Sequence, residues 1–203
     1  MGHIGILGGS FDPFHYGHLS IAKAALKECG LSKVVLMPTK VQPFKLGKKR
    51  ASEEDRVNMV RLIAKKNENF AVSTIEAFSQ EVSYTYKTLQ ALSEEYGREK
   101  LHFIMGTDSF LSIETWYKGE ELLKTYSFIV GVRPGYKESE TEEKMQYYKE
   151  KYGTKVRILH NRVLEVSSTE IKERIRNKES IRQFVPYEIE RYIDEHGLYQ
   201  DIY

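Results

Sequence analysis

The sequence predicts an α/β protein, a doubly wound parallel sheet with a small helical appendix at its C-terminal end. Three features point there. Short apolar runs alternate with amphipathic stretches along most of the chain. Several of the runs are apolar on both faces, as strands covered by helices on both sides must be. From about residue 167 onward the patterns become helical only. At 203 residues with no linker-like stretch, the expected organisation is one domain over 1–203, with a helical part over about 167–203.

In chain order, strands are expected at "HIGIL", "VVLMP", "FAVST", "LHFIMG", "YSFIVGV" and "VRILH". The first helix starts near Gly17 and places Leu19, Ala22, Ala25 and Leu26 on one face. The second follows Ser52, has acidic residues in its first turn, and carries Met59, Val60, Ile63 and Ala64. A third begins near Tyr84 and includes Leu89 and Leu92. The charge of "YKESETEEKMQYYKEKYG" predicts an exposed helix, and "KLGKKR" a surface loop. In "VSSTEIKERI", Ser167 and Glu170 have capping-box spacing, and "VPYEIERYIDEHG" is a helix between Pro186 and Gly197. Right-handed crossovers on such a sheet put ligands beyond the carboxyl ends of the strands.

Composition narrows the function. The chain is 40% hydrophobic and 12% aromatic, enough for a sizeable core, and its formal net charge is only +2. That balance argues against a nucleic-acid partner or a membrane surface, which call for a basic bias. No run approaches the ~18 apolar residues of a membrane helix, and the N-terminus lacks a secretory pattern. A single cysteine, Cys29, forms no internal disulfide, and its place near a helix end suits a small buried hydrophobe. The expected location is the cytoplasm. A homodimer is compatible with the sequence but not specified by it.

The chemistry concentrates in "GGSFDPFHYGH", Gly8 to His18, directly behind the first strand. Glycines there let the backbone approach an anion, and successive N–H groups can point at it. The stretch matches neither of the two commonest phosphate fingerprints. Gly17 removes side-chain bulk at the helix start, so His15 and His18 can converge in front of it and stabilise charge on a phosphoryl oxygen. A zinc site would want further ligands at short spacing, and none lie nearby. From spacing alone, phosphate chemistry, a metal site and a purely structural turn all stay open.

The whole string resembles the signature of the nucleotidyltransferase superfamily, a glycine-rich turn and an aromatic residue followed by H-x-G-H. The resemblance implies a Rossmann-like sheet and transfer of a nucleotidyl group with release of pyrophosphate. It assigns His15 and His18 as catalytic residues on the triphosphate, with Gly8, Gly9, Ser10 and Phe11 in the same ATP pocket. Further along, "SYTYKTL", "FIMGTDSF" with Trp116, "VGVRPGY", "VSSTEI" and "FVPYEIERYIDEHGLY" recur as in bacterial nicotinate-nucleotide adenylyltransferases. These matches run nearly the length of the chain.

That family implies ATP and nicotinate mononucleotide as substrates. Trp116, the sole tryptophan, offers a stacking face for a pyridine ring. Tyr84 and Thr85 open a helix whose N–H groups can take the ring's carboxylate, with Ser10 and Lys45 also on the acceptor side. By resemblance, Gly106 and Asp108 sit in the loop after the fourth strand on the adenosine side. Arg133, Ser167, Ser168 and Thr169 extend the ATP site, and Lys45 lies in a loop that could close on the phosphates. Two departures stand out. The family's proline-histidine-lysine is here Pro43-Phe44-Lys45, and its arginine after the serine-serine-threonine motif is here Lys172, with Arg174 two positions on. Lysine keeps the charge but not the bidentate fork. No metal ligands are assigned in the chain; the expected cofactor, Mg²⁺, enters with ATP. Alternatives are a related adenylyltransferase for nicotinamide mononucleotide or phosphopantetheine, and a nucleotide sensor without turnover.

Overall fold

Six strands form one parallel sheet in the order β3-β2-β1-β4-β5-β6, the doubly wound arrangement in which strand order reverses beside β1. They are β1 (Ile4–Gly9), β2 (Lys33–Pro38), β3 (Phe70–Val72), β4 (Leu101–Gly106), β5 (Ser127–Gly131) and β6 (Lys155–Leu159). All six coincide with the apolar runs of the sequence. This computed structural model describes residues 2–40, 50–132, 138–160, 164 and 166–200. No helix among them is long and apolar enough to cross a membrane.

Period-two alternation splits the core. Leu7 of β1 faces one side, with α1 (Tyr16–Cys29), α2 (Glu53–Lys65), α7 (Ser168–Arg176) and α8 (Tyr187–Glu195). Its neighbour Ile6 faces the other, with α3 (Thr85–Tyr96), α4 (Thr107–Ser112), α5 (Gly119–Thr125) and α6 (Glu138–Tyr152). Helix starts follow the capping rules where the side chains allow. Ser52 and Asp55 form a full capping box on α2, and Gly30 ends α1 in the left-handed conformation at φ 61°. Cys29 is the last residue of α1, half-buried against the core.

Three expectations need correction, and one helix was not expected. Glu170 does not close a capping box with Ser167; it pairs with Arg174 four residues on, and Ser167 caps α7 by accepting the Thr169 N–H. Helix α6 is not simply exposed, because Thr141 and Tyr148 are fully buried and Tyr152 nearly so, one stripe facing the sheet beneath a charged outer surface. Asp108 is not in a loop but in the first turn of α4, which starts directly where β4 ends. Helix α5 carries no expectation from the sequence, being only seven residues long.

Helix α6 also fixes the short 3-10 turn Ile113–Thr115 that leads into Trp116. Glu114 in that turn accepts from Lys144 at 2.8 Å and from the Tyr152 hydroxyl at 2.7 Å. Burial works to raise the Glu114 carboxyl, but the hydrogen bonds from Lys144 and Tyr152 prevail and hold it down at about 2. A depressed carboxyl contributes stability above its unfolded value, and that contribution fades as pH falls from 4.5 towards about 2. Denaturant titrations across that window should show Glu114→Gln losing less stability with acid than the wild type. Parallel curves would refute the linkage.

Candidate active site

The loop between β1 and α1 is fastened from two sides. Arg56 of α2, fully buried, donates through Nη1 to the Ser10 carbonyl at 2.7 Å and to the Thr39 carbonyl at 2.8 Å. It therefore ties the loops after β1 and β2 together. Asp12, also buried, accepts from the Ala51 N–H at 3.0 Å and the Tyr199 hydroxyl at 2.7 Å, and pairs with Lys172. Burial first, then the Asp12 charge, pushes the Tyr199 phenol up, so it remains a donor. Phe11, held at φ 47° in the left-handed region, turns its fully buried ring edge-on to His18 at 4.9 Å.

The two histidines then cap α1 together. His15 Nδ1 accepts the His18 N–H at 3.4 Å, and His18 Nδ1 accepts the His15 N–H at 3.3 Å. Their rings stack 3.7 Å apart at 20°. A ring nitrogen that accepts carries no proton, so each neutral imidazole carries its proton on Nε2. The backbone thus fixes both tautomers. Gly17 favours this packing: a Cβ there would stand 3.0 Å from two His15 ring atoms and from the Leu164 carbonyl, so the His15 ring would have to shift.

Both rings line a cavity of about 320 Å³ beyond the carboxyl ends of β1 and β4, where the strand order reverses. Gly8, Gly9, Thr85, Gly106 and Trp116 line it too, so the fold brings residues from four parts of the chain to one cavity. Trp116 is half-buried and set edge-on to Phe103 at 6.5 Å, which leaves its position, rather than its burial, as the notable feature. Thr85 is the first residue of α3, and Tyr84 before it makes no side-chain cap.

Other expected residues sit around the cavity rather than on its wall. Ser10 is exposed, and the Phe11 ring supports His18 from behind. Tyr84 stacks on Tyr117 at 4.4 Å. Asp108 is exposed on α4, where its neighbour Ser109 reaches the cavity instead. Ser167, Ser168 and Thr169 start α7, whose preceding Val166 lines the wall, and the Ser168 hydroxyl donates to the Pro13 carbonyl at 3.4 Å. Lys45 and Arg133, with Pro43 and Phe44, lie outside the described residues. Lys172 is committed to Asp12 and lies over the Tyr199 ring at 5.1 Å, a tie between α7 and the motif loop. Among the described residues, no group of three or more His, Cys, Asp or Glu is arranged to hold a metal ion.

Sequence reasoning missed three residues. Arg56 left a signal, a lone cation on the apolar stripe of Met59, Val60 and Ile63. Asp12 was visible in the motif but without a role. Glu76, a buried carboxyl on the cavity wall, lies in an irregular segment with no period to mark it.

Comparison with known proteins gives the chain's family. The cytidylyltransferase-like family model matches residues 6–174. A protein of Clostridium botulinum (strain Alaska E43 / Type E3) named probable nicotinate-nucleotide adenylyltransferase is 38% identical over 201 residues, covering 99% of this chain and 100% of the relative. The chain belongs to this family, among the nicotinate-nucleotide adenylyltransferases. Another member, from Carboxydothermus hydrogenoformans, is 38% identical and covers 97% of this chain and 98% of its own. The fold also matches Plasmodium falciparum nicotinic acid mononucleotide adenylyltransferase complexed with NaAD, with a TM-score of 0.78, 20% identity and 98% of each chain covered. The same protein complexed with APC matches at a TM-score of 0.75.

The fastening of the motif loop can be tested apart from chemistry. Asp12→Ala strands Lys172 and leaves two buried donors unmatched, so urea denaturation should show a loss of about 3 kcal/mol. Lys172→Met should cost less, because Asp12 keeps Ala51 and Tyr199. Equal losses would contradict this division of the load.

Proposed function

We propose that the protein transfers AMP from ATP to nicotinate mononucleotide, giving deamido-NAD and pyrophosphate, as a cytoplasmic enzyme of NAD biosynthesis. The observation that carries this is one cavity lined by two kinds of group. Two imidazoles of fixed tautomer line it beside the glycine turn, and Thr85 at a helix start and Trp116 line it as well. The first suits a triphosphate, the second a flat, carboxylate-bearing ring. The family membership points to the same pair of substrates.

The acceptor's phosphate is ionised at neutral pH and needs no base. Its oxygen attacks the α-phosphorus in line, a new P–O bond forms, and the bond to the bridging oxygen breaks to release pyrophosphate. The protein's work is positioning and charge stabilisation. In this reading the Nε2–H groups of His15 and His18 donate to the α-phosphoryl oxygens as negative charge shifts across them. Ser10, Gly106, Asp108, Arg133, Lys45 and the Ser167–Thr169 helix start are proposed to hold the rest of the two substrates. A divalent ion, Mg²⁺ in this proposal, arrives bound to ATP.

Three measurements test the reading. Pyrophosphate release should be fast with nicotinate mononucleotide and weak with nicotinamide mononucleotide or phosphopantetheine; fast release with another acceptor overturns the assignment of Tyr84, Thr85 and Trp116. His18→Ala should lower kcat about 10²–10³-fold in protein that still folds, and near-normal turnover would remove His18 from the chemistry. Trp116→Ala should raise the KM for the mononucleotide far more than that for ATP, and equal shifts would argue against ring stacking.

A further inference from the structure

Glu76 is a large carboxyl side chain only 5% exposed, on the wall of the active-site cavity. It lies in the irregular segment that leads from β3 towards α3. Thr88, in the first turns of α3, stands 2.6 Å from it through its hydroxyl. The same hydroxyl is 3.2 Å from the Tyr84 carbonyl, which also accepts the Thr88 N–H at 3.0 Å. Glu76, Thr88 and Tyr84 therefore form one hydrogen-bonded chain ending at the residue before Thr85.

We propose that Glu76 is a positioning residue for the acceptor: acting through Thr88, it fixes where the Tyr84–Thr85 helix start stands relative to Trp116. The proposal rests on the reading of that helix start given above. Burying a carboxyl is costly, and an apolar side chain could fill the space at less expense. Lys40 donates to the Ser79 carbonyl and Lys87 pairs with Glu81. Among the described residues, the other titratable side chains on the cavity wall are His15 and His18.

The Thr88 hydroxyl donates to the Glu76 carboxyl while the Tyr84 carbonyl keeps the Thr88 N–H, so every member of the chain is satisfied. Without the Glu76 carboxyl the hydroxyl has only the Tyr84 carbonyl of its own helix, and this tie between α3 and the segment after β3 is gone. Burial raises the Glu76 carboxyl above its ordinary range, while the Thr88 hydrogen bond lowers it. The first effect is the larger.

Steady-state kinetics on purified, folded Glu76→Ala, Glu76→Gln and Thr88→Val proteins test this. Glu76→Ala and Thr88→Val should each raise the KM for nicotinate mononucleotide by about tenfold, with the KM for ATP unchanged within about twofold. The Glu76→Ala/Thr88→Val double variant should be no worse than the worse single, since both break one chain. Glu76→Gln keeps an acceptor oxygen for the Thr88 hydroxyl and should stay close to wild type. Equal rises in both KM values, additive losses in the double variant, or Gln as damaging as Ala would each overturn the proposal. Should Glu76→Ala not fold, Thr88→Val with an unchanged acceptor KM overturns it equally. Wild-type protein that does not use nicotinate mononucleotide defeats the function itself, whereas active wild type with unselective variants defeats only the role of Glu76.

Discussion

The site depends on how a four-residue stretch, Ser10 to Pro13, is anchored. Left to itself, a loop beginning with two glycines and running into an aspartate-proline would sample many shapes. Here Arg56 holds the Ser10 carbonyl from below, and Asp12 gathers a backbone N–H, a phenol and an ammonium from three other segments. Those partners belong to the start of α2, to α7 and to the C-terminal end. The C-terminal helices are thus not an ornament on the sheet. They supply Lys172 and Tyr199, without which Asp12 would be a buried charge with little to offset it.

Once the loop is held, the histidine geometry follows. Each imidazole gives its Nδ1 to the other's backbone N–H, so the pair caps α1 where a Ser or Asp would normally stand. The cap costs the protein nothing in chemistry, because it consumes the nitrogen that faces the helix and leaves the protonated one defined. Phe11 and Gly17 complete the arrangement, one as a wall behind His18 and the other as the space His15 needs. On the far wall, Glu114 and the tyrosines of α6 do for Trp116 what Asp12 does for the motif loop. Both halves of the cavity are therefore mounted on residues that never touch it.

Much of this was legible in the sequence, for identifiable reasons. The six strands are short, apolar and separated by amphipathic helices, so periodicity alone locates them. The glycine turn and H-x-G-H are local in sequence, because one helix start must present both rings. What escaped was what depends on distant partners. A capping box at Ser167 failed because Glu170 found Arg174, a competition that spacing cannot rank. The exposed appearance of α6 concealed a buried tyrosine stripe, since Tyr and Thr read as polar until a sheet lies against them.

The sequence by itself determined the sheet, the location of the glycine turn and its two histidines, and the tryptophan and helix start that we propose for the acceptor. These are carried by short-range pattern and by motifs whose members lie within a few residues of one another. Only the tertiary structure decided that Asp12 and Lys172 form a buried tie, that Arg56 joins two loops, and that Glu76 stands on the cavity wall. Each of these is an ionisable group whose role is set by which neighbours remove it from water, and those neighbours lie from 12 to 187 residues away along the chain.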